Sequence, residues 1–307
     1  MLALQENDCV LITGGSGFLG KRMKAYLEDA NIATVTFSSR DLDLRNAEET
    51  RQYFQNARPT CVIHCAVEGG GIGWMKDHPV ESGLNNVRIN SNVLEAAFLC
   101  GAKSFVGVSS ACIYPKEGAI PYKETAVWGG YPEPFNGPYA LSKRMMMDLG
   151  RAYAKQHQFH CVFPILANLY GPGDHLSPER AHVVADLMLR AMGKPSEFVV
   201  WGTGIAQREF LYIDDAVEGI LACLTAKPGD FINIGTGIST SIKDLAAMII
   251  QALNVDIPIV FDPSKPDGQL QKVLSIQKAQ TELGWSPKVD LFDGICRTLH
   301  WYSGIVQ

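Results

Sequence analysis

Residues 9–20 read CVLITGGSGFLG. Cys9–Thr13 is a short apolar run of strand character, and it passes straight into a turn with glycines at 14, 17 and 20. A helical pattern opens at Phe18 and continues to Asp29. Glycine allows the tight turn and lets the backbone come close to a pyrophosphate, while a helix N-terminus presents N–H groups and partial positive charge. A glycine turn between a strand and a helix is the context that a dinucleotide site needs. Gly14, Ser16, Gly17, Phe18 and Gly20 are therefore candidate cofactor contacts.

Outward from that turn the alternation continues. Ala33–Phe37 reads as a second strand and Ala47–Gln55 as a helix. Cys61–His64 is a third strand, Val80–Cys100 a long helical stretch and Ser104–Val108 a fourth strand. Pro138–Gln156 is helical again and His160–Ile165 a fifth strand. Such alternation predicts a parallel sheet covered on both faces, and right-handed crossovers make it doubly wound. The expected class is α/β: a doubly wound parallel (Rossmann) sheet with a smaller α/β substrate lobe. Past Gly171 the rhythm breaks, with Pro172, Gly173, Gly193 and Pro195 between shorter elements. A strand near Phe198–Trp201 and a helix near Ile242–Leu253 belong to this part. Residues 1–166 are expected to form the cofactor domain and 167–307 mainly the substrate lobe, with part of 205–235 returning to the first.

Composition narrows the function. Of 307 residues 47% are hydrophobic and 19% charged, the balance of a folded rather than a disordered chain. A formal net charge of −5 disfavours a dedicated nucleic-acid binder, whose domains carry a basic excess. No stretch is apolar enough to span a bilayer, and Met1–Val10 carries Glu6 and Asp8 without the basic region that opens a secretory signal. The expectation is a cytoplasmic protein with no membrane and no nucleic-acid partner. The eight cysteines lack paired spacing, and Cys61 and Cys65 have no second pair to complete a zinc site. No metal is expected, and seven of the eight read as reduced, buried thiols.

Two further places carry chemistry. Strand two ends Phe37-Ser38-Ser39-Arg40. An acid at that tip holds a ribose 2′-hydroxyl, whereas a basic residue receives a 2′-phosphate. Arg40 at the tip, with no acid before it, predicts NADP(H). Tyr139-Ala-Leu-Ser-Lys143 sets a tyrosine and a lysine on one helix face. A lysine beside a phenol favours its anion and makes it an acid or base near neutrality. Their partner is Ser110, at the C-terminal end of strand four, where doubly wound folds place ligands.

The glycine turn, Ser110 and Tyr139-x-x-x-Lys143, in this order, resemble the short-chain dehydrogenase/reductase superfamily in its extended, sugar-nucleotide branch. SSACIYP (Ser109–Pro115), EPFNGPYALSK (Glu133–Lys143), NLYGPGD (Asn168–Asp174), VVWGTGIAQREFLYIDD (Val199–Asp215), NIGTG (Asn233–Gly237) and FDPSKPDG (Phe261–Gly268) are similar to the GDP-L-fucose synthase family. The resemblance implies epimerisation of a GDP-4-keto-6-deoxy hexose at carbons 3 and 5, then reduction of the ketone by NADPH, giving GDP-L-fucose or a close relative. It implies that Ser110 and Tyr139 steady the enolate oxygen, that Tyr139 serves the reduction, and that Lys143 holds the nicotinamide ribose. Cys112 and His182 then move protons at the two carbons. The same resemblance places Asp43, Cys65, Ala66 and His182 beside the cofactor. Arg190, Arg208 and Lys272 fall on the substrate phosphates, and Asn168 and Trp201 along the sugar and nucleotide. It implies a homodimer through Val80–Cys100 and Pro138–Gln156. Ser16 stands where many members carry an arginine, and Leu166-Ala167 where Pro-Thr is frequent.

Two alternatives stand beside this reading. One is a 4-reductase or epimerase for another nucleotide-activated 4-keto sugar. The other is an inactive nucleotide-sensing regulator on the same fold, against which Ser110, Tyr139 and Lys143 are all intact. A 4,6-dehydratase is disfavoured because Ala111-Cys112 occupies the place of that group's Asp-Glu pair. A simple 4-epimerase has no need of Cys112 and His182.

Overall fold

The computed structural model describes residues 4–305 apart from 71, 175–181, 266 and 268. The outermost residues of the two expected domains, and Pro266 and Gly268 of the FDPSKPDG block, lie outside the described residues. The first half of the chain supplies β1 (Cys9–Thr13), α1 (Phe18–Asp29), β2 (Ala33–Thr36), α2 (Ala47–Ala57), β3 (Cys61–His64), the short α3 (Ile72–Asp77), α4 (Asn86–Leu99), β4 (Ser104–Gly107), the two-residue β5 (Ser109–Ser110), α5 (Gly137–His157) and β6 (His160–Leu166). The second half supplies β7 (Asn168–Tyr170), α6 (Val183–Met192), β8 (Phe198–Trp201), β9 (Gln207–Arg208), β10 (Phe210–Tyr212), α7 (Ile213–Ala222), β11 (Phe231–Ile234), β12 (Thr240–Ser241), α8 (Ile242–Leu253), β13 (Ile259–Asp262), α9 (Gln277–Leu283) and α10 (Leu291–Ser303).

The main sheet is parallel throughout, in the order β11-β6-β4-β3-β1-β2, with β5 continuing beside β6. Val10, Leu11 and Ile12 are fully buried, because α2, α4 and α5 pack side by side in one layer and α1 with α7 in another. A strand covered on both faces has no reason to alternate polar and apolar residues. From β1 the chain first steps outward to β2, then crosses back to β3 on the other side. That reversal opens a crevice at the C-terminal ends of β1 and β3, where such sheets receive ligands.

Strands two and four end one residue before the limits read from sequence, at Thr36 and Gly107. The stretch expected to be one helix from Val80 instead opens with a π-helical turn, Glu81–Asn85, before α4. Asn86 accounts for this. Its buried side chain donates to the Ser82 carbonyl (2.8 Å) and the Glu68 carbonyl (2.6 Å) and accepts from the Glu68 N–H (3.0 Å). It thereby draws the loop after β3 onto the helix. The helix α5 rests directly on β6: a Cβ at Gly150 would lie 2.0 Å from Phe163 Cζ, so only glycine permits this approach.

A second apolar core joins α6, β8, α8 and α10 through Leu187, Met188, Phe198, Leu245, Ile249 and Tyr302. Here β13 pairs with β8 in parallel and β12 with β9 in antiparallel. Ser241 and Asp290 cap α8 and α10, accepting from the N–H of Asp244 and Asp293 at 3.0 Å each. Between these elements the chain returns to the first core. β10 lies beside β7, Leu211, Val217 and Ile220 are buried with the main sheet's side chains, and β11 forms that sheet's edge.

Candidate active site

The crevice is shaped first by the glycine turn. Gly14 has φ +70°, and a Cβ there would lie 2.8 Å from the Ala66 nitrogen, so no side chain fits between β1 and the loop after β3. Beyond the turn, a cleft of about 480 Å³ runs between α1 and the tip of β2, lined by Ser16, Lys21, Lys24, Ser38 and Asp41. A dinucleotide's pyrophosphate fits the bare glycine backbone, and a 2′-phosphate fits the lysine-lined cleft. Lys21 and Lys24 escaped the sequence reading; their spacing on α1, facing β2, was the available signal. Arg40 is exposed at the rim. Asp41, its neighbour, turns instead to the β2 tip and accepts from the Ser38 N–H (2.9 Å) and hydroxyl (2.7 Å). Those bonds, with a small contribution from Arg40, hold its carboxyl below the ordinary value. Asp43, a candidate at the cofactor, accepts from Arg45, whose Nη2 and Nε donate to it at 2.8 and 2.9 Å.

Behind the turn runs a buried chain of polar groups. The Ala66 N–H donates to Thr13 Oγ1 (3.1 Å), and Thr13 lies 2.7 Å from His64 Nδ1. His64 Nε2 lies 3.0 Å from Asn90 Oδ1, Asn90 Nδ2 donates to the Ser142 carbonyl (3.2 Å), and the Ser142 hydroxyl donates to the Tyr139 carbonyl (2.7 Å). One assignment satisfies every group: Thr13 donates to a neutral His64, whose Nε2–H donates to Asn90. Burial, assisted by the nearby Lys143 charge, pushes the His64 pKa down to about 3. This chain ties the cofactor turn to the helix bearing Tyr139. Cys65, next to it, is driven up to about 12 by burial and is no nucleophile.

Ser110, Cys112, Tyr139 and Lys143 come together at the ends of β4 and β5. Ser110 Oγ caps the turn Ala111–Ile113 by accepting from the Cys112 N–H (3.3 Å). Arg144, unnoticed in the sequence, fastens that turn to α5 by donating to the carbonyls of Ile113 and Gly130, 2.8 Å each. Tyr139 is buried, and burial, with Cys112 adding to it, pushes its phenol pKa well up. The direct tyrosine–lysine pairing read from their spacing is not made. Lys143 Nζ donates to the Val108 carbonyl (2.9 Å), and burial brings its pKa down to about 8 against an opposing pull from Cys65. Sequence spacing fixes a common helix face; the carbonyl at the end of β4 decides where the ammonium goes.

The residues of the second half are held differently. His182 is the N-cap residue of α6, beside Phe18 with ring centroids 6.3 Å apart, and its Nδ1 lies 2.9 and 3.0 Å from the two carboxylate oxygens of buried Asp174. Burial lowers the His182 pKa, but the Asp174 hydrogen bond and charge outweigh it and hold the ring above its ordinary value. Arg190, expected on phosphate, donates to Asp186 Oδ2 (2.8 and 3.0 Å) and the Val199 carbonyl (2.6 Å). Arg208 donates to the carbonyls of Gln207, Gln269 and Asp267. Its pKa is lowered by burial, with Asp267 and Cys112 acting the other way, which puts it within Coulomb reach of Cys112. Asn168 donates to the Glu209 carbonyl (2.8 Å). Trp201 is exposed, with Lys265 Nζ 5.6 Å from its ring centre. Lys272 is half-buried. Glu209, also missed, is buried and accepts from the N–H groups of Gly237 (2.8 Å) and Leu274 (2.7 Å), fixing both loops beside Arg208.

A nucleotide turn at the sheet's crossover and a serine–tyrosine–lysine cluster at its C-terminal edge define a class, and residues 10–235 match the model of the NAD dependent epimerase/dehydratase family. The chain belongs to that family and, within it, to the GDP-L-fucose synthases. It is 32% identical over 311 residues to the putative GDP-L-fucose synthase 2 of Arabidopsis thaliana, covering 99% of this chain and 94% of the relative. It is 31% identical to the GDP-L-fucose synthase of Escherichia coli K12, over 95% and 96% of the two chains. The solved GDP-L-fucose synthetase of Naegleria fowleri bound to NADP superposes with a TM-score of 0.87 at 31% identity, over 99% and 96%. Among the described residues no helix is long and apolar enough to cross a membrane.

Proposed function

We propose that this chain epimerises a GDP-4-keto-6-deoxy hexose at carbons 3 and 5 and reduces its ketone with NADPH, giving GDP-L-fucose or a close relative. The observation that carries this reading is Cys112, whose N–H donates to Ser110 and whose thiol lies within Coulomb reach of Tyr139. A plain reductase needs the serine, tyrosine and lysine but has no work for that thiol. The names of the relatives and the NADP in the Naegleria structure point the same way.

The ketone acidifies the protons on both neighbouring carbons. Ser110 and the protonated Tyr139 donate to the ketone oxygen as it gains charge. Cys112 takes the proton from one face of the carbon, and His182 returns one to the other. NADPH held at the turn of Gly14, Gly17 and Gly20 would supply the hydride. Tyr139 then gives its proton to the oxygen on carbon 4. Lys143, with a pKa of about 8, is largely cationic at neutral pH; it offsets the phenolate so formed and offers a donor to the ribose. Arg208 and Lys272 receive the substrate phosphates, with Arg190 moving from Asp186 to join them. Trp201 gives the guanine a flat face.

A homodimer through α4 and α5 belongs to this proposal. Leu84, Leu141 and Met145 are exposed apolar side chains on the π-helical turn and α5, which pack together. The eight unpaired cysteines suit a reducing cytoplasm.

The test is NADPH consumption with GDP-, UDP- and dTDP-linked 4-keto-6-deoxy sugars, with product configuration read by NMR. The GDP substrate is expected to turn over fastest and emerge inverted at carbons 3 and 5. Reduction without inversion, or faster turnover of another nucleotide, contradicts the proposal and favours a simple 4-reductase.

A further inference from the structure

We propose that Asp174 is the positioning carboxylate for His182, holding its Nδ1–H so that Nε2 alone faces the substrate. This rests on His182 being the proton donor of the epimerisation.

The two residues are held in complementary ways. The Asp174 side chain is 1% exposed, whereas that of His182 is 51% exposed. Asp174 follows the turn Gly171-Pro172-Gly173, in which both glycines have positive φ (+145° and +93°), and it is buried. Both carboxylate oxygens lie within hydrogen-bond distance of Nδ1. An ionised carboxylate can only accept, so Nδ1 carries the hydrogen in either charge state of the ring, and the only nitrogen that changes protonation is Nε2. The Phe18 ring, on the first residue of α1, lies beside the His182 ring with centroids 6.3 Å apart.

Among the described residues, Asp174 is the charge acting on the ring. From α10, the buried Tyr302 phenol lies within reach of the Asp174 charge. On α6, the Asp186 carboxylate is turned to Arg190, and only its N–H meets His182, at the carbonyl (2.9 Å). Asp174 outweighs the desolvation of the imidazolium, so the acid form survives to higher pH than an isolated histidine would allow.

The step balances simply. The Nε2–H bond breaks with its electron pair left on Nε2, a C–H bond forms at the enolate carbon, and the ketone is restored. Asp174 goes on accepting from Nδ1–H, and the neutral ring regains its proton from water.

The test measures deuterium wash-in at carbons 3 and 5 of a GDP-4-keto-6-deoxy hexose as a function of pH, beside hydride transfer to an already epimerised 4-keto substrate. Asp174→Asn is expected to lower wash-in at pH 8 at least tenfold and to move the descending limb of the profile to lower pH. Hydride transfer should stay within about twofold. Asp174→Glu should restore part of the profile. In a His182→Gln background, Asp174→Asn should cost nothing further. Should Asp174→Asn fail to fold, the Asp174→Glu profile decides, because an altered reach with an intact charge should slow wash-in without moving the limb. An unchanged profile in both variants overturns the proposal, as does weakened NADPH binding with wash-in intact. Wild-type wash-in by His182→Gln itself removes instead the reading on which the proposal rests.

Discussion

Tyr139 and His182 are both assigned proton transfers, yet the fold secures them by different means. Tyr139 stands on a long helix pressed onto the sheet, its carbonyl bonded to Ser142 at the end of a buried chain that begins at the cofactor turn. The neighbouring Arg144 fastens the Cys112 turn to the same helix. His182 is half-exposed at the start of α6, and one buried carboxylate holds it. The arginines of this half, 190 and 208, are occupied by their own chain. The first region is therefore built before substrate arrives, whereas the second has contacts to exchange on binding. Reduction should depend on chemistry at single atoms; binding and epimerisation should depend on rearrangement as well.

The largest expected effect is that of Tyr139→Phe. Loss of the proton donor should slow single-turnover reduction by about 10²–10⁴-fold, while NADPH affinity by fluorescence titration changes by less than about threefold. Wild-type turnover in this variant would mean that the well-built region is not the reductive one.

Next in size is the pH dependence of stability from His64, whose folded pKa of about 3 lies below the ordinary 6.5. The unfolded chain then binds the proton more readily. The stability from neutral His64 is complete above pH 6.5 and declines as pH falls toward 3. By pH 5 a loss of about 2 kcal/mol is expected in urea unfolding, and His64→Gln should flatten that dependence. The same loss in both proteins would show that the buried chain tying turn to helix is not held by a neutral histidine.

The difference between the regions also explains what could be read beforehand. The glycine turn, the parallel sheet, Ser110 and the Tyr139–Lys143 face were legible because regular β/α geometry converts spacing directly into position. The π-helical turn at Glu81 was not, since a side-chain bond from Asn86 to a distant loop creates it. Nor was the Lys143 bond to Val108, which depends on how α5 docks on β4. In the second region the family resemblance supplied His182, Arg190 and Arg208, but their partners Asp174, Asp186 and the carbonyls near Gln269 come from tertiary packing that spacing does not encode.

Smaller effects probe the basic residues. Arg40→Ala and Lys21→Ala should each weaken NADPH about tenfold relative to NADH, read from the ratio of kcat/KM values; equal losses for both cofactors would remove the 2′-phosphate from the β2 tip. Arg190→Ala should raise the substrate KM only about threefold with kcat unchanged, because its phosphate contact replaces the exposed pairing with Asp186.

The most direct measurement follows deuterium from solvent into carbons 3 and 5 of a GDP-4-keto-6-deoxy hexose without NADPH, and in parallel hydride transfer to the epimerised ketone. Three variants are compared: Cys112→Ala, His182→Gln and Tyr139→Phe. A crossover is expected. Cys112→Ala should abolish wash-in and His182→Gln should leave little or give misepimerised product, both with hydride transfer retained. Tyr139→Phe should lose hydride transfer and slow wash-in without abolishing it, because Ser110 still donates to the enolate oxygen. Wild-type protein that reduces the substrate yet takes up no deuterium at either carbon would be a plain 4-reductase, with no proton-transfer role for Cys112 and His182.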